Sequence, residues 1–122
     1  MEPPRLRCLI VDDSAAFRTS ARGMLEAGGI MVVGTASTLA EALRETASTR
    51  PDVALVDIDL GGESGFDVAE ALHAPGVGPA VVLVSTHEEE EFADMIDAST
   101  AVGFVPKFAL TADRVRAALA RS

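Results

Sequence analysis

Five polar residues stand at the ends of short apolar runs. Asp12 and Asp13 follow LRCLIV, Asp57 follows VALV, Ser85 follows AVVLV, and Lys107 closes VGFVPK. If these runs lie side by side, three carboxylates, a hydroxyl and an ammonium meet at one edge. Carboxylates gathered in a partly dry site repel one another unless a cation neutralises them. The set offers only oxygen donors, with no clustered His or Cys, and so selects a hard ion. Mg²⁺ fits, because it binds through one or two carboxylates plus water and phosphate oxygens. A carboxylate beside such an ion is a competent nucleophile toward phosphorus. Lys107 then offers a point charge, and Ser85 a hydrogen bond, to the oxygens of a transferred phosphoryl group. Any one of these acids alone reads as a turn or cap residue. The set carries the chemistry.

The elements that must position them are legible as alternating strands and helices. Leu6–Val11 reads as a buried strand, then Ser14 as an N-cap before a helix with Phe17, Ala21, Met24 and Leu25 on one face. Gly28 and Gly29 stop that helix, and Ile30–Gly34 is the second strand. Thr38 with Glu41 forms a capping box for a helix burying Leu39, Ala42, Leu43 and Ala47, which Pro51 ends. Val53–Val56 is the third strand. A loop rich in glycine and acid, Ile58–Gly65, leads to a short helix over Phe66–His73. Ala80–Val84 is the fourth strand. Ser85 and Thr86 open a helix whose first turn carries Glu88 to Glu91, where the macrodipole favours negative charge. Val102–Val105 is the fifth strand, and Thr111 caps a last helix with Val115, Ala118 and Leu119 inward. Strands this uniformly apolar are buried on both faces, which implies a parallel sheet with helices on each side. In such α/β sheets the ligand site lies beyond the carboxyl ends of the strands.

Composition narrows the partners. The 122 residues suit one domain, and their aromatic residues are five Phe, so Ala, Val and Leu fill the core. Ten basic against 19 acidic residues give a net charge of −9, which argues against binding nucleic-acid phosphates through this segment. The lone Cys8 excludes an intrachain disulfide and points to a reducing, cytoplasmic setting. No apolar run approaches the length of a membrane span, so a soluble protein is expected.

The motifs LIVDDS, ALVDIDL with Gly65 beyond it, VVLVST and GFVPK resemble the receiver domains of two-component response regulators across essentially residues 1–122. The resemblance implies a flavodoxin-like sheet of strand order 2-1-3-4-5. It makes Asp57 the phosphoacceptor, served by a sensor histidine kinase. Asp12 and Asp13, with Asp57 and the backbone carbonyl of Asp59, would hold Mg²⁺. Ser85 and Lys107 fill the hydroxyl and lysine positions, and Phe104 the aromatic switch position that follows Ser85 inward. The surface of the fourth helix, fifth strand and last helix would change on phosphorylation, and phosphorylation-dependent homodimerisation through the last two βα units is implied too. GFVPKFALTADRVRAAL resembles receivers that precede a helix-turn-helix output domain, hence transcription regulation. Two departures stand out: Gly61 where proline is frequent, and Phe108 rather than proline after Lys107, where the family's cis peptide is then not expected.

Two residues are candidates for setting the lifetime of the phosphorylated state. Asp59 and His87 lie two positions beyond Asp57 and Ser85 and so flank the approach of water; His87 reads equally well as a solvent-facing side chain. His73 is expected on the surface, and Met24, Met31 and Met95 in the core. The competing activity is a Mg²⁺-dependent phosphatase of the haloacid-dehalogenase type, whose second acid two residues after the nucleophile matches Asp59. A degenerate receiver acting as a constitutive binding module is the third reading, disfavoured by the intact acids and lysine.

Overall fold

Alternation decides where each strand residue goes. In β1 (Arg7–Val11), β3 (Val53–Asp57) and β4 (Ala80–Ser85), nearly every residue is buried, and successive side chains enter opposite layers. Cys8, Ile10, Val53, Leu55, Val82 and Val84 share one core with Ala21 and Leu25 of α1 (Ala15–Ala27) and Ala112, Val115 and Ala118 of α5 (Ala112–Ala120). Leu9, Val11, Ala54, Val56, Val81 and Leu83 share the other with Ala42 of α2 (Leu39–Thr49) and Val68, Ala69 and Leu72 of α3 (Gly65–Leu72). β2 (Met31–Ala36) and β5 (Gly103–Pro106) form the edges of a five-stranded parallel sheet ordered β2-β1-β3-β4-β5. This computed structural model describes residues 5–73, 78–87 and 89–120.

The helix starts follow the sequence signals. Ser14, Ser64 and Thr111 each accept a backbone N–H of the first turn through the side-chain oxygen. Thr38 does the same for Glu41, but the Glu41 carboxylate reaches one residue past the cap, to the N–H and hydroxyl of Ser37, both at 2.7 Å. Those two bonds hold the Glu41 carboxyl below its usual range, the Ser37 hydroxyl contributing most.

Several expectations need correction. No α-helix opens at Ser85 and Thr86: Glu89–Phe92 forms a 3-10 turn, and α4 covers only Ala93–Ala98. Like-charged carboxylates so close together oppose a regular first turn; Glu88 itself lies outside the described residues. Met31 and Met95 are exposed rather than core, because β2 is an edge strand and α4 buries no residue fully. Leu43 and Ala47 are exposed as well, since α2 covers the sheet only along Ala42 and partly Leu39. Strand and helix limits otherwise shift by one or two residues, as fraying and cap geometry allow. Among the described residues no helix is long and apolar enough to cross a membrane.

Candidate functional site at the strand carboxyl ends

Strand register brings the five polar residues together. Val11 pairs with Val56, so Asp12 leaves β1 beside Asp57; Asp57 pairs with Val84, next to Ser85; Ser85 pairs with Pro106, next to Lys107. Carboxylate oxygens of Asp12, Asp13 and Asp57 lie within 4.8 Å of one another. Asp12 is fully buried, and its Oδ1 accepts the Ser14 N–H at 2.8 Å. Its Oδ2 lies 2.6 Å from the Lys107 ammonium. The same ammonium donates to Asp57 Oδ2 at 3.2 Å. Lys107 begins a 3-10 turn, Lys107–Ala109, with its side chain 15% exposed.

The charges perturb one another in a definite sense. Burial holds the Asp57 carboxyl above its ordinary range, and the Asp12 charge adds to this; the Asp59 N–H and Lys107 pull the other way and lose. Burial alone would push the Lys107 ammonium down, but the hydrogen bond to Asp12 and the fields of Asp57 and Asp12 raise it. An acid reluctant to ionise beside two others is a site short of positive charge. One lysine shared by two buried carboxylates, a third carboxylate beside them, and an all-oxygen donor set together fit a small divalent cation.

The loop after Asp57 is pinned from several sides. Asp59 donates its N–H to Asp57 Oδ1 at 3.2 Å, while its own carboxylate accepts the Gly61 N–H at 3.1 Å. Gly61 has φ +78°, with its Cβ position 3.4 Å from Asp13 Oδ2. A proline, fixed near −65°, cannot take that backbone, which explains the departure at this position. Gly65 donates to Ile58 O at 2.7 Å, and a Cβ there would collide with the Asp57 carbonyl oxygen. Only glycine lets α3 start this close to the acidic strand end.

The other candidates separate. Ser85 is buried, its hydroxyl accepting the His87 N–H at 3.0 Å. Phe104 is already inward, in the core beneath α3 and α4. His87 and Asp59 line one open cavity of about 430 Å³ with Ser85 and Phe92, but the imidazole is 3.0 Å from Glu91 and edge-on to Phe92, half exposed. It faces the Glu89–Phe92 turn, not the carboxylates of Asp12, Asp13 and Asp57. His73 is exposed at the C-cap of α3, and no described peptide is cis. Sequence reasoning missed three residues. The Phe17 ring lies 4.1 Å from Lys107 Nζ, Arg18 donates to Asp12 O at 2.7 Å, and Glu63 accepts the Leu39 N–H at 2.9 Å. For the first two a signal existed: the first turn of the helix after a strand overhangs that strand's end.

This geometry has known counterparts. The family described as response regulator receiver domain matches residues 8–120. Response regulator GacA of Pseudomonas viridiflava is 33% identical over 113 residues, 92% of this chain and 53% of that protein. Protein-glutamate methylesterase/protein-glutamine glutaminase 5 of Myxococcus xanthus is 41% identical over 86 residues, 70% of this chain but 25% of that protein. The chain thus spans about half the length of GacA and a quarter of the methylesterase. The signal receiver domain of NarL from Mycobacterium tuberculosis superposes with a TM-score of 0.82 at 32% identity, covering 97% of this chain and 96% of that one. The flavodoxin-like order 2-1-3-4-5 is shared, and the phosphatase alternative finds no support in these matches. From Cys8 to Ala120, in sequence and in fold, the chain belongs to the response regulator receiver domain family, the signalling domain of two-component systems.

Proposed function

We propose that residues 1–122 act as one phosphorylation-controlled switch with Asp57 as the phosphoacceptor. The observation that carries this is the Asp57 carboxylate at the end of a fully buried strand, 3.2 Å from Lys107 and clustered with Asp12 and Asp13. An Asp57 oxygen attacks the phosphorus of a histidine kinase's phosphohistidine; the P–N bond breaks, and its electron pair leaves with the imidazole, which takes up a proton. Lys107 steadies the phosphoryl oxygens by charge and Ser85 by a hydrogen bond. Asp12, Asp13, Asp57 and the Asp59 carbonyl would hold Mg²⁺, which when bound would supply neutralising charge for the phosphoryl oxygens. The domain assists this transfer and its own later hydrolysis, and turns over no separate substrate. Asp59 and His87, on the wall of one cavity, tune that hydrolysis.

The transfer is tested by intact mass after incubation with acetyl phosphate and Mg²⁺. One phosphoryl group should appear on the wild type and none on Asp57→Asn; equal uptake by both would overturn the assignment. Millimolar Mg²⁺ should raise the melting temperature of the wild type and do so less in Asp13→Ala, because the ion binds only the folded site. We read the output as transcriptional, from the likeness of GFVPKFALTADRVRAAL to receivers that precede helix-turn-helix domains. Self-association on phosphorylation belongs to the same reading, and light scattering with and without beryllofluoride tests it. A monomer under both conditions would remove it.

A further inference from the structure

We propose that Phe17 is a positioning residue for Lys107, its ring holding the ammonium over the acceptor; this rests on the reading of Lys107 as the group that steadies the phosphoryl oxygens. The ammonium ends a chain of four rotatable bonds that starts in a short 3-10 turn, so its place must be set by what surrounds it. Two anions compete for it, and the nearer is the wrong one for the chemistry: 2.6 Å to Asp12 against 3.2 Å to Asp57. The third neighbour is the Phe17 ring, with Nζ 4.1 Å from its centroid. The negative face of the ring attracts a cation without carrying net charge. A carboxylate in that place would repel the incoming phosphoryl group; an aliphatic side chain would fill the space and hold nothing.

The ring is itself held. Phe17 lies in the first turn of α1, its N–H fixed by the Ser14 hydroxyl at 3.2 Å, and it packs partly buried against the α1–α5 core. Arg18, the next residue, donates to Asp12 O at 2.7 Å and ties that turn to the end of β1. The first turn of α1 therefore places the ammonium through the ring and steadies the buried acid through Arg18.

Phosphorylation by acetyl phosphate at saturating Mg²⁺ tests this in the full chain. Phe17→Leu keeps an apolar side chain and loses the ring; its initial rate should fall about 3- to 10-fold, the range open to a partly desolvated cation–π contact. Phe17→Tyr should restore the rate. Replacing Phe17 by 4-fluoro-, 3,5-difluoro- and pentafluorophenylalanine keeps shape while draining the face of negative potential, and the rate should fall in that order. This series remains decisive if Phe17→Leu folds poorly. NMR gives a readout apart from transfer: the ring should shift the Lys107 ε-methylene protons upfield, and Phe17→Leu should abolish the shift. Wild-type rates in Phe17→Leu, a flat fluorinated series, or unshifted Lys107 protons would each overturn the inference. If the wild type accepts no phosphoryl group yet shows the upfield shift, the contact stands and the acceptor reading falls instead.

Discussion

The carboxyl end of β3 and the segment that follows β4 are neighbours built to opposite standards. At the first, Asp57 ends a wholly buried strand, its carboxylate is tied to the Asp59 N–H and to Lys107, and α3 begins against it through Gly65. At the second, a 3-10 turn carrying Glu90 and Glu91 runs into a six-residue helix with no side-chain cap and no fully buried residue. A helix this short draws little stability from its own hydrogen bonds and depends on packing, which here is slight. Chemistry needs fixed groups; a switch needs an element near the low-stability end of the molecule. The two regions meet at Ser85, whose hydroxyl accepts the His87 N–H; in the proposed switch a pull on Ser85 would pass along that bond into the loose segment.

The largest effect should come from tightening the rigid side beyond its tolerance. Gly65→Ala places a methyl group against the backbone of Asp57 and should cost about 3 kcal/mol or more, with loss of Mg²⁺ binding. Chemical denaturation and calorimetry measure both. Met95→Ala in α4 should stay within about 0.5 kcal/mol. Equal costs would erase the contrast.

A second, smaller effect has a sign fixed by the site's charges. The Asp57 pKa is raised by folding, so its contribution to stability is fully present below the unfolded carboxylate value and is lost as pH rises through the folded one. In metal-free protein, Asp57→Asn, a mimic of the neutral acid, should therefore be more stable than wild type at pH 7. The advantage should vanish near pH 4. Denaturation midpoints at the two pH values check this, and a wild type more stable than Asp57→Asn at pH 7 would show that Lys107 outweighs burial.

The smallest effect is expected at the tether between the acceptor loop and α2. Glu63→Ala removes the acceptor for the Leu39 N–H and should cost about 0.5–1 kcal/mol, while Glu63→Gln keeps an oxygen there and should cost less. Hydrogen exchange at Leu39 separates the two.

The sequence made the rigid side plain and the loose side obscure, for one reason. Apolar runs buried on both faces have few alternatives to a central parallel strand, and residues right after them must meet at one edge; Asp12, Asp57, Ser85 and Lys107 were thus readable from spacing alone. Sheet order came only with the family resemblance. Around α4 the pattern carried two conflicting signals, a favourable macrodipole and repulsion between adjacent acids, and the repulsive outcome prevailed. Met31, Leu43 and Met95 were misplaced because hydrophobicity does not tell an edge or a thinly packed helix from a core. Phe17 was open to inference from its place in the first turn after β1, whereas Glu63 acts across the fold at Leu39, a contact that no local spacing announces.

Amide hydrogen exchange, with and without Mg²⁺ and beryllofluoride, reads both regions at once. In the free protein the amides of Leu55, Val56 and Leu83 should exchange only through near-global opening, and those of Met95 and Ile96 far faster. The phosphoryl mimic should change protection across residues 90–98, leave the centre of β3 unchanged, and do neither in Asp57→Asn. Protection in α4 equal to that of β3, or a response to the mimic that persists in Asp57→Asn, would contradict a switch in which a rigid acceptor at Asp57 drives a loosely held fourth helix.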